Sequence, residues 1–123
     1  MGRRGFTLIE LLVTLAIIAL LLSLAGPRYF SNVTKAEETT LKHNLATLRD
    51  AIDKHYADNG RYPGSLADLV QKHYVRALPL DPITQSNATW VPIPPADPQK
   101  GAIFDVKSGA QGAARDGTPY NQW

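Results

Sequence analysis

Residues 1–21 read MGRRGFTLIELLVTLAIIALL, an apolar run with one carboxylate, Glu10, near its start. From Phe6 to Ala25 twenty residues carry that single formal charge. As a helix they span about 30 Å, the hydrocarbon thickness of a bilayer. Arg3 and Arg4 stand immediately before the run. Positive charge is retained on the cytoplasmic side, so the remainder is expected across the membrane, in a bacterial periplasm.

Three readings of this segment compete. A secretory signal has a basic start, an apolar stretch and a small-x-small cleavage site, which Ser23-Leu24-Ala25 supplies. The run is long for such a signal, and Glu10 lies inside it. A plain single-pass anchor explains the length and gives Glu10 no role. The third reading starts from cost: an acidic residue well inside a membrane helix costs about 2.5–3.5 kcal/mol, so it marks function and calls for a partner. Cleavage between Gly5 and Phe6 would create one, a free α-amine on Phe6. Within one helix Phe6 and Glu10 stand at i and i+4, on one face. Between two staggered chains the same groups pair in trans.

Arg4-Gly5-Phe6-Thr7-Leu8-Ile9-Glu10 resembles the leader of type IV pilins and of the pseudopilins of type II secretion. The resemblance implies a prepilin peptidase that cuts after Gly5 and methylates Phe6. It also implies that Glu10, fifth in the mature chain, recruits and registers the next subunit. The expected organisation is a leader over 1–5, a transmembrane segment over 6–27 and a periplasmic pilin-like domain over 28–123.

Gly26-Pro27 either ends the membrane helix or kinks one that continues, since proline removes a backbone hydrogen bond and glycine weakens the same turn. The resemblance favours continuation. Residues 30–58 form the next helical pattern: Leu41, Leu45, Leu48 and Ile52 recur at i, i+4, i+7 and i+11. Lys35, Glu37, Glu38, Lys42, Arg49, Asp50, Asp53 and Lys54 are expected mostly on a solvated face. The joined helix is about fifty residues long, too long for an ordinary globular unit and suited to a rod half in the membrane.

Asn59-Gly60 tolerates the left-handed conformation of a helix C-cap. A loop region over 59–88 follows, with a turn at Arg61-Tyr62-Pro63-Gly64. Ser65 with Asp68 signals a cap for a short helix over Leu66, Leu69 and Val70. Leu78-Pro79-Leu80-Asp81-Pro82 forbids regular structure. A small β region with a C-terminal loop occupies 89–123. Trp90-Val91-Pro92-Ile93 is a proline-broken edge strand. Gly101–Lys107 alternates, with Ala102, Phe104 and Val106 facing one way and Ile103, Asp105 and Lys107 the other. Residues 95–100 close the two into an antiparallel hairpin. Ser108 to Gly117 is a glycine-rich loop, and Trp123 packs back on the domain. The fold class is α+β, type IV pilin-like: a long N-terminal helix on a small antiparallel sheet.

The resemblance extends through His55-Tyr56-Ala57-Asp58-Asn59-Gly60-Arg61-Tyr62-Pro63, the Leu78–Pro82 stretch and the terminal tryptophan, which look like the major pseudopilins. Their Asp-Pro pair is usually followed by Trp-Gly; here Ile83-Thr84 follows, which leaves a paralogous or minor subunit open. The family also implies a calcium ion before the C-terminus. Calcium takes about six to eight oxygen ligands. From Ser108 onward the chain has one carboxylate, Asp116, beside Arg115. Asp105, Ser108 and Asn121 complete the candidate set, and a metal-free Asp-Gly corner is the preferred reading.

The rest of the composition narrows the function. With 13 Lys and Arg against 11 Asp and Glu, scattered along 123 residues, the chain has no nucleic-acid footprint. It has no cysteine, so a disulfide scaffold, a thiolate metal site and cysteine catalysis are excluded. Eight of the nine prolines lie beyond residue 62, so the two ends follow different structural logic. His43, His55 and His73 lack ligand spacing and are expected solvated or partly packed. No nucleophile elbow, phosphate loop or zinc-protease helix occurs, and Asp50, Asp53 and Asp58 suggest no cleft. The expected protein is not an enzyme and needs no cofactor.

The resemblance implies a subunit that forms a homopolymer with minor pseudopilins in a periplasmic pseudopilus. An inner-membrane platform with a cytoplasmic ATPase would supply the work of protein export. A pilin or minor pilin of an adhesion, motility or DNA-uptake fibre shares this physics, and a secreted or singly anchored binding module is the alternative of a different class.

Overall fold

The computed structural model describes residues 5–123, with the side chains of 27–33 outside the description. The first helix, α1, runs from Leu8 to Asn59, 52 residues. A short helix α2 (Leu66–Gln71) follows, then strands β1 (Trp90–Ile93) and β2 (Asp105–Ser108). The chain divides into two compact units, Met1–Lys35 and Ala36–Trp123, and α1 contributes to both. Of the two readings at Gly26-Pro27, a helix that continues is the one observed, since α1 includes both residues. The kink expected there bears on the Pro27 side chain, which lies outside the described residues.

In the first unit the helix is apolar over Leu8–Gly26 except for Glu10, Thr14 and Ser23. Leu8–Gly26, 19 residues of mean hydropathy 2.7, is long and apolar enough to cross a membrane, and none of that window is buried. So largely apolar a helix needs an apolar surrounding, from lipid or from other chains.

The second unit owes its core to the leucine stripe. Leu41, Leu45, Leu48 and Ile52 are all buried, joined by Ala51 one position before Ile52. They cluster with Leu69 of α2, Trp90 of β1, Val106 of β2, and Val75, Ile103, Ala110, Ala114 and Tyr120 from the connections. Each fully buried leucine contributes about 1.5–3 kcal/mol of transfer free energy. The amphipathic half of α1 is thus held by its packing partners, the usual source of helix stability in a folded protein.

Local chemistry sets the element ends. Gly60 adopts φ +70° and returns its N–H to the Tyr56 carbonyl at 2.8 Å, closing α1 as expected. Ser65 caps α2 by accepting the Asp68 N–H, while the Asp68 carboxylate accepts the Gly64 N–H at 3.0 Å. The two strands pair antiparallel, Trp90 opposite Ser108 and Ile93 opposite Asp105. Pro92 interrupts no inner ladder, because a two-stranded sheet consists of edges. Gly109 is fixed by close approach: a Cβ there would collide with the Thr89 carbonyl. Trp123 packs edge-on against Tyr120, as the sequence led us to expect.

Three expectations need correction. β2 begins at Asp105 rather than Gly101, and its facing is shifted: Ile103, Val106 and Ser108 are buried, whereas Ala102 and Phe104 are exposed. Before the strand starts, the Ala102 and Ile103 N–H groups both turn to the Pro63 carbonyl, which breaks the period of two. The solvated face of α1 also loses two of its charges. Glu38 is 9% exposed, and Arg49 is half-buried under the C-terminal segment. His55, expected solvated or partly packed, is buried, with Nδ1 2.8 Å from the Arg61 carbonyl and Nε2 3.2 Å from Lys72 Nζ.

A candidate processing and assembly site at the start of the long helix

Gly5 and Phe6 precede α1, and the Phe6 side chain is 83% exposed. A Cβ on Gly5 would meet nothing within 4 Å, so the fold of the chain itself places no demand for glycine there. The same holds at Gly26, where a Cβ also meets nothing within 4 Å.

Thr7 and Glu10 form a reciprocal cap. The Thr7 hydroxyl accepts the Glu10 N–H at 3.1 Å, and a Glu10 carboxylate oxygen accepts the Thr7 N–H at 3.4 Å. This Thr-x-x-Glu capping box satisfies two helix-terminal donors, and the partial positive charge of the helix start favours a carboxylate in its first turn. The sequence reading assigned Glu10 an intermolecular role and missed this local one, although the Thr7-Leu8-Ile9-Glu10 spacing carries the signature. At 3.4 Å the second bond is long. None of the three ion pairs among the described residues involves Glu10. The Glu10 carboxylate is therefore exposed at the edge of an apolar helix, held by its own backbone and unpaired with any cation among the described residues.

Three of the four calcium candidates have other partners. Asp105 pairs with Arg49 at 2.9 Å and also accepts the Val106 N–H at 2.7 Å. The Ser108 hydroxyl donates to Asp81 at 2.5 Å and accepts from the Ala110 N–H at 3.1 Å. Asp116 holds the Thr118 N–H at 3.0 Å and its hydroxyl at 2.6 Å, the hydroxyl chiefly keeping the Asp116 carboxyl below its ordinary range. Asn121 is exposed. Among the described residues no three His, Cys, Asp or Glu side chains gather as a metal site. Two carboxylates committed elsewhere, one of them to a guanidinium, do not fit an ion that takes about six to eight oxygens.

The departure from the usual Asp-Pro-Trp-Gly motif is accommodated by the backbone. Asp81 accepts the Ile83 and Thr84 N–H groups at 2.9 and 3.4 Å, bonds that any residue but proline at those positions can donate. Ile83 packs against the core, and the Thr84 hydroxyl meets that of Thr89 at 2.7 Å.

An exposed apolar helix with a carboxylate in its first turn, leading into a small α+β unit, defines a pilin-like subunit. Residues 1–26 match the family described as the prokaryotic N-terminal methylation motif. The chain is 31% identical over 111 residues to type II secretion system core protein G of Escherichia coli K12, a match covering 90% of this chain and 77% of that protein. The protein of the same name from Pectobacterium carotovorum is 34% identical over 96 residues, 65% of this chain and 62% of its own length. That of Klebsiella michiganensis is 33% identical over 97 residues, covering 66% and 68%. No solved structure matches the chain significantly. The chain belongs to the core protein G family of type II secretion systems, the major pseudopilins. Its N-terminal motif and apolar helix fit a membrane-anchored subunit of that system.

Proposed function

We propose that the chain is the structural, non-catalytic subunit of a periplasmic pseudopilus that drives protein export by type II secretion. A prepilin peptidase cuts the precursor between Gly5 and Phe6 and methylates Phe6. The chain lies in the inner membrane with its N-terminus cytoplasmic and residues 28–123 periplasmic. It polymerises through α1 together with minor pseudopilins, driven through a membrane platform by a cytoplasmic ATPase.

The observation that carries this reading is the state of Glu10. Its carboxylate is presented by the Thr7 cap on an otherwise apolar, unburied helix, and no ion pair among the described residues involves it. Cleavage after Gly5 places an ammonium on Phe6, one residue from the Thr7 N–H that Glu10 already accepts. In the low-dielectric surroundings of packed apolar helices, a carboxylate that lacks a charge partner is costly. A neighbouring chain whose Phe6 amine reaches that depth removes the cost, and this sets the stagger between subunits. Gly5 fits the same account, since nothing in the fold of the chain requires glycine there.

Glu10→Ala tests the reading. The variant is expected to be inserted, cleaved and folded, with fibres absent or disordered by electron microscopy. Fibres of unchanged abundance and stagger would refute the pairing.

A further inference from the structure

The misfit of the candidate oxygens to calcium leaves a physical question: what fastens the C-terminal segment, a run of loops with little secondary structure, to α1? Three charged residues on α1 do so. Glu38 accepts the Arg115 N–H at 2.9 Å, the Arg115 Nε at 3.3 Å and the Tyr120 hydroxyl at 3.2 Å. Lys42, one turn on, holds its Nζ 4.8 Å from the centroid of the Trp123 ring. Arg49 donates to Asp105 at 2.9 Å and to the Val106 and Trp123 carbonyls at 3.0 and 2.8 Å. Positions 38, 42 and 49 recur at i, i+4 and i+11, one line along the helix.

The chemistry is that of a bridging ion, distributed over side chains. A bound cation organises a loop by drawing several oxygens to one positive centre. Arg49 draws a carboxylate and two carbonyls to one guanidinium, whose planar fork suits such convergent acceptors. Glu38 does the reverse, drawing two N–H groups and a hydroxyl to one buried carboxylate. Charge-assisted bonds of this kind are the strong ones. Every buried side-chain nitrogen and oxygen among the described residues has a partner, so the clamp leaves no orphan that a metal would have to satisfy.

We propose that the Glu38–Arg115 and Arg49–Asp105 pairs take the place of a calcium ion in this chain, fixing the C-terminal segment on α1 so that folding and assembly are independent of calcium. The clamp joins residues far apart in sequence and is complete only when both α1 and the C-terminal segment are in place. The calcium candidates thereby acquire a different role: Asp105 is the acceptor for Arg49, and Asp116 shapes the turn that delivers Arg115.

The test is thermal unfolding and limited proteolysis of the full-length chain in detergent, with excess calcium chloride or with chelator. It reads the folded monomer and so stands apart from whether a fibre forms. The wild type is expected to unfold at the same temperature in both media, with residues 109–123 protected in both. Glu38→Gln is expected to lower Tm by about 5 °C or more in both media and to expose that segment to protease. Should that variant not fold, Arg115→Gln leaves the core intact and is expected to raise cleavage within the segment severalfold. Calcium that raises the wild-type Tm by several degrees, or protects a segment that is cleaved in chelator, would overturn the proposal. Unchanged Tm and protection in both variants would overturn it equally.

Discussion

The Asp81 carboxylate receives the Ser108 hydroxyl at 2.5 Å, and neither residue is exposed to solvent. This bond joins the proline-rich loop to the end of β2, two segments for which the sequence offers no common pattern. The same carboxylate caps the turn at Ile83 and Thr84, and the Ser108 hydroxyl passes the chain on to Ala110. No ion pair among the described residues involves Asp81, and its burial is tolerated because neutral donors surround it.

Asp81→Ala removes the acceptor and strands those donors, so the expected loss of stability is about 2–4 kcal/mol, with a smaller loss for Asp81→Asn. Urea denaturation of the full chain in detergent checks this: the midpoint falls while the slope is unchanged. A midpoint within error of wild type would show that the loop is held by packing alone.

Leu48→Ala tests the stripe. Leu48 is fully buried in the cluster that also holds Trp90, Val106 and Tyr120. Truncation removes transfer free energy and leaves a cavity, with an expected cost of about 2–5 kcal/mol in the same assay. Leu22→Ala, in the exposed apolar segment, is expected to leave the unfolding midpoint unchanged.

The Glu38 cluster gives a signed pH dependence. Burial pushes the Glu38 carboxyl up, but the Arg115 N–H and guanidinium and the Tyr120 hydroxyl outweigh it, so it lies below its ordinary value of 4.5. The unfolded chain therefore takes up the proton first. The contribution is full above about 4.5 and is lost as pH falls through the folded value. Tyr120 is raised above 10.0 by burial and by the Glu38 charge, so its contribution is full below 10.0 and declines as pH rises beyond it. Tm against pH should fall on both limbs. Glu38→Gln should flatten the acid limb, and an unaltered acid limb would assign it to other carboxylates.

Gly5→Val should leave full-length precursor in the membrane, because the substitution meets no neighbour in the chain and so acts only on a partner that reads the site. An immunoblot separates precursor from the mature form. Normal maturation would point to a protease that ignores Gly5.

The elements with local signatures were legible in the sequence. The leucine stripe, the Asn59-Gly60 stop, the Ser65 cap and β1 follow from periodicity and cap chemistry alone, and the structure has each of them. The start of β2 was not legible, because the distant Pro63 carbonyl takes the Ala102 and Ile103 N–H groups just before the strand begins. Nor was the burial of Glu38 and Arg49, since a charge on an amphipathic helix reads as solvated until the segment that covers it is placed. His55 was hidden for the same reason: its partners, the Arg61 carbonyl and Lys72, meet it only once α1 has stopped and the chain has turned back. The Thr7 cap does have a local signature, the Thr-x-x-Glu spacing to Glu10.

The central claim, a precursor trimmed after Gly5 that polymerises through its apolar helix, is tested most directly by the intact mass and N-terminal sequence of the chain recovered from its native membranes. The account predicts a chain that begins at Phe6 and carries one methyl group on its α-amine. A chain that begins near Gly26 would be a secreted domain without its apolar helix, and the polymer mechanism would fall with it.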